Sequence, residues 1–484
     1  MQTTRHPAID RRTLLRTLLS LPPLWLLAAC DEQPQVQAPQ VTPQAKSHDV
    51  LVIGGGMAGL AAARDLHDAG ADVLLIEARN RLGGRVYSSE MAGVPLDLGA
   101  SWIHGVRGNP LSELVERFAV EVVPTDYESL QAYDVAGVPF SDQEHAAQID
   151  GPLDELLEAA DVERRRREAV GAPDSSLGTM FEAMLAERGL NPAQRRALDY
   201  AINSVIEHEY AADVDGLSLL HFDAGFGAFG GGDVLFPGGY GQLVAGLAEG
   251  LAVQLESPVA AIMDSGSEVS ALLSDGRTLR GQRAIVALPL GVLQSGSPMF
   301  SPDLPQAKLA ALTRLGSGVL NKLYLRFPQV FWDADVELLG YAGAQKGAWA
   351  EWLNLAYYND EPILLAFNAA QYGRALEALS DVAQAGEAMA VLRMIYGNTI
   401  PEPTGILASR WAADPYAQGA YSFVPPGATP DDHRILAAPV GTRLFFAGEH
   451  TCAEHPSTVH GALLSGRRAA VEMQATAALR RPNH

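Results

Sequence analysis

The stretch from Asp49 to Glu77 constrains this chain more than any other. Asp49-Val50-Leu51-Val52-Ile53 is a short apolar run that predicts a buried parallel strand. It passes directly into Gly54-Gly55-Gly56-Met57-Ala58-Gly59, and then into Leu60-Ala61-Ala62-Ala63-Arg64-Asp65-Leu66, a segment of strong helix propensity. Gly54, Gly56 and Gly59 satisfy G-x-G-x-x-G in the strand–turn–helix context that gives the pattern its meaning. Glycine there allows a tight turn and lets the backbone approach a pyrophosphate, whose charge sits at the helix N-terminus. A second strand, Val73-Leu74-Leu75-Ile76, ends at Glu77, placed to accept hydrogen bonds from a ribose 2′-hydroxyl. The expectation is an α/β fold built on a Rossmann-type dinucleotide unit.

The rest of the composition narrows the class. The 484 residues carry 35 basic against 57 acidic side chains, a formal charge of −22, which nucleic-acid phosphates would repel. No nucleic-acid partner is therefore expected, and cationic small molecules fit better. The length corresponds to about two or three domains' worth of chain. Cys30 and Cys452 are too few for a disulfide scaffold or a cysteine-built metal site, and no metal is expected. No HExxH, CxxC, P-loop or G-x-S-x-G motif competes for the chemistry, and no 20–50-residue repeat is apparent.

The N-terminus reads as an export signal. Arg11-Arg12 precede an apolar stretch, Leu18 to Ala29, that Pro22-Pro23 interrupt and that is too short to span a membrane. Leu27-Ala28-Ala29-Cys30 resembles a bacterial lipoprotein box, and the arginine pair resembles a Tat signal, with Asp10 where serine is usual. Residues 1–29 are thus expected to be a signal peptide and 30–46 a Gln- and Pro-rich linker. The body would lie on the periplasmic side, its sole membrane link a lipid on Cys30; simple cleavage, and an N-terminal amphipathic helix with an incidental cysteine, are the alternatives. Residues 1–29 hold four arginines and one aspartate, so the chain without them carries −25.

Residues 141–206 read as helices, and Glu163-Arg164-Arg165-Arg166-Arg167-Glu168 as a solvated helix face with internally paired charges. A glycine-dense stretch, Gly225 to Gly241, leads to a helix through Leu247. A strand-rich block follows, with an Asp275-Gly276 turn, from Ser257-Pro258-Val259 to Leu288-Pro289. Lys322 lies between the apolar runs Val319-Leu320 and Leu323-Tyr324-Leu325. It either snorkels outward or points into a polar cavity. Glu207 reads as a site residue, with a surface acid as the alternative, and His450 and His460, taken singly, read as structural histidines.

Several further segments carry a resemblance. They are Arg79-Asn80-Arg81-Leu82-Gly83-Gly84-Arg85, Leu98-Gly99-Ala100-Ser101-Trp102-Ile103-His104-Gly105, and Leu315 to Lys322 with Phe331-Trp332-Asp333. Ser409-Arg410-Trp411, Asp414 to Phe423, Leu444 to His450 and Pro456 to Ala462 complete the set. Together they resemble the flavin amine oxidase family across residues 47–475, in its polyamine oxidase and flavin lysine demethylase-like branch.

That resemblance implies a Rossmann-type FAD-binding domain, from segments 47–117, 232–320 and 402–476, interleaved with an α+β substrate domain from 118–231 and 321–401. It assigns FAD contacts to Gly54, Gly56, Met57, Ala58, Gly59, Glu77, Ala78, Arg79, Gly83, Gly84, Arg85, Gly99, Ala100, Ser101 and Trp102. Val259, Trp411, Tyr416, Gly448, Glu449, Thr458 and Val459 complete that set. Ala420 stands where monoamine oxidases of mitochondrial type carry a flavin-linking cysteine, which implies non-covalent FAD. Lys322 becomes the catalytic residue, hydrogen-bonded through water to flavin N5, with His104, Glu207, Tyr421 and Thr458 around the substrate.

The implied activity is oxidation of a polyamine-like amine at the carbon alpha to nitrogen. A hydride passes to the flavin, the imine hydrolyses to an aldehyde or ketone, and electrons leave to O2, giving H2O2, or to another acceptor. The alternatives are an L-amino-acid oxidase, an aromatic or heterocyclic monoamine oxidase, and a non-catalytic lipoprotein that retains FAD. Oligomeric state is not readable from the sequence.

Overall fold

A computed structural model describes residues 46–227 and 229–478. The expected signal peptide, lipid attachment at Cys30 and nearly all of the linker lie outside the described residues. Strand β1, Ser47–Ile53, runs parallel to β2, Val73–Ile76, on one side and to strand Thr278–Val286 on the other. Helix α1, Met57–Asp68, makes the crossover between β1 and β2. These strands belong to an eight-stranded sheet that also takes Ala252–Gln254, Val259–Asp264, Val269–Leu273, Met299–Ser301 and Leu444–Phe446. Chain segments hundreds of residues apart therefore meet beside β1.

The continuous apolar run of β1 has a simple cause. Successive side chains point to opposite faces, and both faces are covered. Val50 and Val52 pack with α1 and the C-terminal helix Val459–Ala478, whereas Leu51 and Ile53 pack against Ile262, Leu312 and Leu436. The Asp275-Gly276 turn is present, with Gly276 at φ +88° and Leu272 paired with Thr278 across the hairpin.

A second, six-stranded sheet is ordered Gly405–Ala408, Leu320–Arg326, Ile363–Ala369, Glu351–Asn354, Leu338–Tyr341, Leu130–Tyr133. Strand Gly405–Ala408 falls in the stretch expected for the FAD-binding part. It forms the edge of this sheet instead, because its antiparallel partner is Leu320–Arg326. In this sheet Lys322 stands opposite Phe367.

Helices Gly151–Val170, Leu177–Arg188 and Pro192–Ala201 fill the region read as helical, interrupted by π-helical turns Ala146–Asp150 and Ile202–Glu207. The arginine run is a paired helix face: Arg165 meets Asp161, Arg166 and Arg167 share Glu163, and Arg164 bridges to Asp161 and Asp223. Among the described residues no helix is long and apolar enough to cross a membrane.

Helix α1 and helix Val459–Ala478 approach closely because Gly466 has no side chain. A Cβ there would lie 2.1 Å from the Ala58 carbonyl oxygen. Gly466→Ala should therefore cost about 1–3 kcal/mol in denaturant unfolding of the holoprotein. Gly386→Ala, on an open helical face with nothing within 4 Å of its Cβ, should be neutral or stabilising by up to about 1 kcal/mol. Equal effects of the two substitutions would refute this packing argument.

Candidate active site

One cavity of about 1420 Å3 is lined by both sheets and by the helical region. Its first half is the turn between β1 and α1. Gly54 turns the chain at φ +107°, where a Cβ would meet Ala287 O at 2.5 Å. Gly56 is the N-cap of α1, with no side-chain cap hydrogen bond, and its nearest neighbour to an added Cβ is Gly83 O at 3.9 Å. Gly56, Met57 and Ala58 line the cavity, so an uncapped helix N-terminus meets a glycine floor, an arrangement that receives phosphate. Gly59 does not line it. Its Cβ would come within 1.9 Å of Gly54 O, so its part is to let α1 pack on β1.

The remaining expected FAD residues all line the same cavity. Glu77 is buried, and its two carboxylate oxygens accept the N–H groups of Gly55 at 2.7 Å and Arg79 at 2.8 Å. Arg79 donates to Asp414 at 2.6 Å and lies 5.4 Å from the Tyr416 ring centroid. Arg85 donates to Ala420 O at 2.8 Å and to Glu449 Oε1 at 2.9 Å. Ser422 Oγ and Ser457 N–H satisfy Glu449 Oε2 at 2.6 and 3.0 Å. Burial opposes the Glu449 charge, but Arg85 and these donors outweigh it and hold the carboxyl at about 2. Thr458 accepts the Gly461 N–H at 2.9 Å and so caps the last helix at the cavity wall. The cradle thus fits a dinucleotide on its own chemistry.

Lys322 is 4% exposed and faces the cavity. Its ammonium donates to Asp97 O at 2.9 Å, Gly99 O at 2.6 Å and Ser101 Oγ, and lies 5.6 Å from the Trp102 ring centroid and 5.9 Å from that of Phe367. Burial lowers it to about 8, with Asp97 pulling the other way. Trp411 is held by its indole N–H on Leu98 O at 3.1 Å, and Tyr421 by its hydroxyl on His208 O. Their rings, with Trp102 and Phe367, make the apolar wall beside Lys322.

Past this wall the cavity turns acidic, with Glu128, Asp142, Asp150, Glu209, Asp233 and Glu351 on its lining. His104 is there too, its Nδ1 2.7 Å from Asp233 Oδ2. Burial works against a charged imidazole, yet Asp233 outweighs it and raises the histidine above its ordinary value. His460 lines the cavity, pushed down to about 3 by burial; His450 is enclosed away from it.

Glu207 requires a correction. Its side chain is 2% exposed and off the cavity, bonded to Lys346 Nζ at 2.7 Å, Asn203 Nδ2 at 2.9 Å and Val214 N–H at 3.0 Å. A buried carboxylate so fully compensated has no capacity left for a substrate cation. Two residues on, Glu209 faces the cavity instead. Sequence reasoning also missed Asp233, Glu351 and Phe367. Asp233 had a local signal, a lone acid closing a glycine run, whereas the other two are brought in by strand pairing.

The Arg85–Glu449 pair makes the cradle acid-sensitive. Because the folded carboxyl is depressed, its contribution is complete above the unfolded value near 4.5 and disappears as pH falls towards 2. Glu449→Gln should lose on the order of 3 kcal/mol at neutral pH. It should also flatten the pH 4.5-to-2 decline in urea-unfolding stability; an unchanged decline would remove Glu449 from this role.

Comparison with known proteins bears on the whole chain. The family described as flavin containing amine oxidoreductase matches residues 57–474. Polyamine oxidase 2 of Arabidopsis thaliana is 35% identical over 448 residues, 88% of this chain and 88% of that protein. Lysine-specific histone demethylase 1 homolog 3 of Oryza sativa subsp. indica is 35% identical over 441 residues, 88% of this chain and 54% of that protein. The chain thus spans about half the length of the demethylase relative. A solved putrescine oxidase, a triple mutant from a redesign of cofactor binding, shares the fold with a TM-score of 0.72 at 22% identity, over 89% of this chain and 99% of that one. The chain belongs to the flavin-containing amine oxidoreductases, with the flavin amine oxidase fold and FAD as its cofactor.

Proposed function

We propose that this protein oxidises an aliphatic, polyamine-like amine at the carbon alpha to nitrogen. The observation that carries the reading is a buried lysine at the junction between a dinucleotide cradle and an aromatic, carboxylate-rich chamber. The α1 N-terminus, Glu77, Arg79, Arg85 and Glu449 would hold FAD, which when bound would supply a two-electron acceptor for a C–H bond. Loss of a hydride equivalent from the alpha carbon leaves an iminium. Water adds to it, and the amine departs from an aldehyde or ketone; the electrons go on to O2 or another acceptor.

The chain's own groups prepare the substrate. Carboxylates draw a cation to the cavity, and salt should screen that attraction. Aliphatic ammonium groups titrate near 10, so the reacting nitrogen must give up a proton, a change that the desolvating wall of Trp411, Tyr421, Trp102 and Phe367 favours. The protonated Lys322 spends its hydrogens on Asp97 O, Gly99 O and Ser101 Oγ. Above about pH 8 its lone pair becomes free to orient a water.

Support against amino-acid oxidation comes from the arginines. Those on the cavity wall, Arg79 and Arg85, are already paired with Asp414 and Glu449, which leaves none to grip a substrate carboxylate. Non-covalent FAD is supported by Ala420 on the wall and by Cys452, the cysteine among the described residues, lying off it. Export to the periplasmic side, through residues 1–29 with a lipid on Cys30, belongs to the same proposal and rests on the N-terminal sequence.

Anaerobic mixing of the holoprotein with spermidine, spermine, 1,4-diaminobutane, tyramine and L-amino acids should bleach the flavin with the aliphatic amines. Bleaching by amino acids alone would defeat the reading. Lys322→Met should keep its flavin, reoxidise slowly in air, and lose an ionisation near pH 8 from the reoxidation profile. Reoxidation at the wild-type rate and pH dependence would show that Lys322 has no such part.

A further inference from the structure

Strand Leu320–Arg326 has two buried faces. Lys322 points from one of them into the cavity, and its neighbour Asn321, 5% exposed, points from the other. Both polar atoms of the Asn321 side chain are committed, which fixes the orientation of its amide. Oδ1 accepts the Trp411 N–H at 3.0 Å and the Ser409 hydroxyl at 3.2 Å, while Nδ2 donates to Gly373 O at 3.2 Å and to Glu377 Oε1 at 2.7 Å. Glu377 extends the relay. Its Oε1 also accepts the Ala412 N–H at 2.9 Å, and its Oε2 accepts the Ala413 N–H at 2.6 Å. Three successive backbone N–H groups, Trp411 to Ala413, thus end on one amide and one carboxylate.

Glu377 is otherwise badly placed for a charge. It is the C-cap of helix Ala370–Leu376, where the carbonyl dipoles disfavour an anion. The N–H groups of the turn at 411–413 offset that cost, because successive amides that converge on one point form an anion-binding concavity. Arg410 ties the two segments from the other direction. It donates to Glu377 O at 3.3 Å and to Leu379 O at 2.7 Å, and pairs with Asp381 at 2.7 Å. Ser409 Oγ in turn accepts the Lys322 N–H at 2.8 Å. The turn that carries Trp411 is therefore bound to the strand that carries Lys322. On the cavity side the Trp411 indole N–H reaches Leu98 O at 3.1 Å, between the two carbonyls that hold the lysine.

We infer that Asn321 and Glu377 are positioning residues, which act through the Trp411 backbone to set the place of that ring in the cavity wall beside the cofactor and the amine. The inference rests on the amine-oxidation reading. Neither residue lines the cavity, so neither touches the substrate. A carboxylate is required at 377, since all three of its side-chain partners are donors and a glutamine offers only one accepting atom.

The test is a double-mutant cycle that measures two quantities in the FAD holoprotein: the limiting rate of anaerobic flavin reduction by 1,4-diaminobutane, and the visible circular dichroism of the bound flavin. Glu377→Gln should keep its FAD, lower the limiting rate at least about fivefold with a smaller change in half-saturation, and alter the dichroism. In a Trp411→Phe background the same substitution should cost less than about twofold, because the ring it places is gone. Asn321→Ala should behave as Glu377→Gln does, and it supplies the cycle should Glu377→Gln fail to fold. An equal loss in the two backgrounds, or an unchanged rate and dichroism in the wild-type background, overturns the positioning role while leaving amine oxidation standing. Absence of flavin reduction by any amine overturns the amine reading, and the dichroism then decides the positioning role by itself.

Discussion

The carbonyl oxygens of Asp97, Leu98 and Gly99 are the point on which the site depends. Buried carbonyls need donors, and these receive theirs from side chains of distant segments: Lys322 and Tyr324 on Asp97 O, Trp411 on Leu98 O, and Lys322 again on Gly99 O. The Asp97 carboxylate meanwhile accepts the Tyr240 N–H and the Ser88 hydroxyl. One short stretch therefore joins the six-stranded sheet, the Trp411 loop and the helix after Tyr240. Gly99 makes this possible, since a Cβ there would come within 1.8 Å of Arg85 O and 3.2 Å of the Trp411 ring.

Charge is managed in two ways across the cavity. On the cradle side every acid has a partner: Glu77 takes two backbone N–H groups, Asp414 takes Arg79, and Glu449 takes Arg85. Fixed compensation suits a permanently bound cofactor, because the surroundings need not reorganise. On the far side Glu209 and Glu351 line the cavity without a lysine or arginine partner among the described residues, which suits a cationic ligand that comes and goes. The π-helical turn Ile202–Glu207 has a part in this division, since it ends where one acid turns inward to Lys346 and the next but one faces the cavity.

The sequence reading was accurate where contacts are local and failed where they are not. The β1–turn–α1 unit and the Gly83-Gly84-Arg85 segment lie within about forty residues, and glycine need, helix start and terminal acid can all be seen there. The arginine run was legible for the same reason, its acids being three or four residues away. Gly59 was assigned to the cofactor because its motif position suggested it, yet helix packing on the strand claims it. Glu207 was misread because its partner, Lys346, is 139 residues away, and no pattern along the chain connects the two.

Taken alone, the sequence determined the class of fold and a dinucleotide site, because those are set by short motifs whose geometry each residue type enforces on its neighbours; FAD and the amine chemistry followed from the resemblance to the flavin amine oxidases. Tertiary structure decided which acids face the cavity and where Lys322 spends its protons. The reason is physical. Whether a carboxylate is compensated depends on what strand register and helix packing place opposite it, and those pairings form between segments that carry no mark of each other.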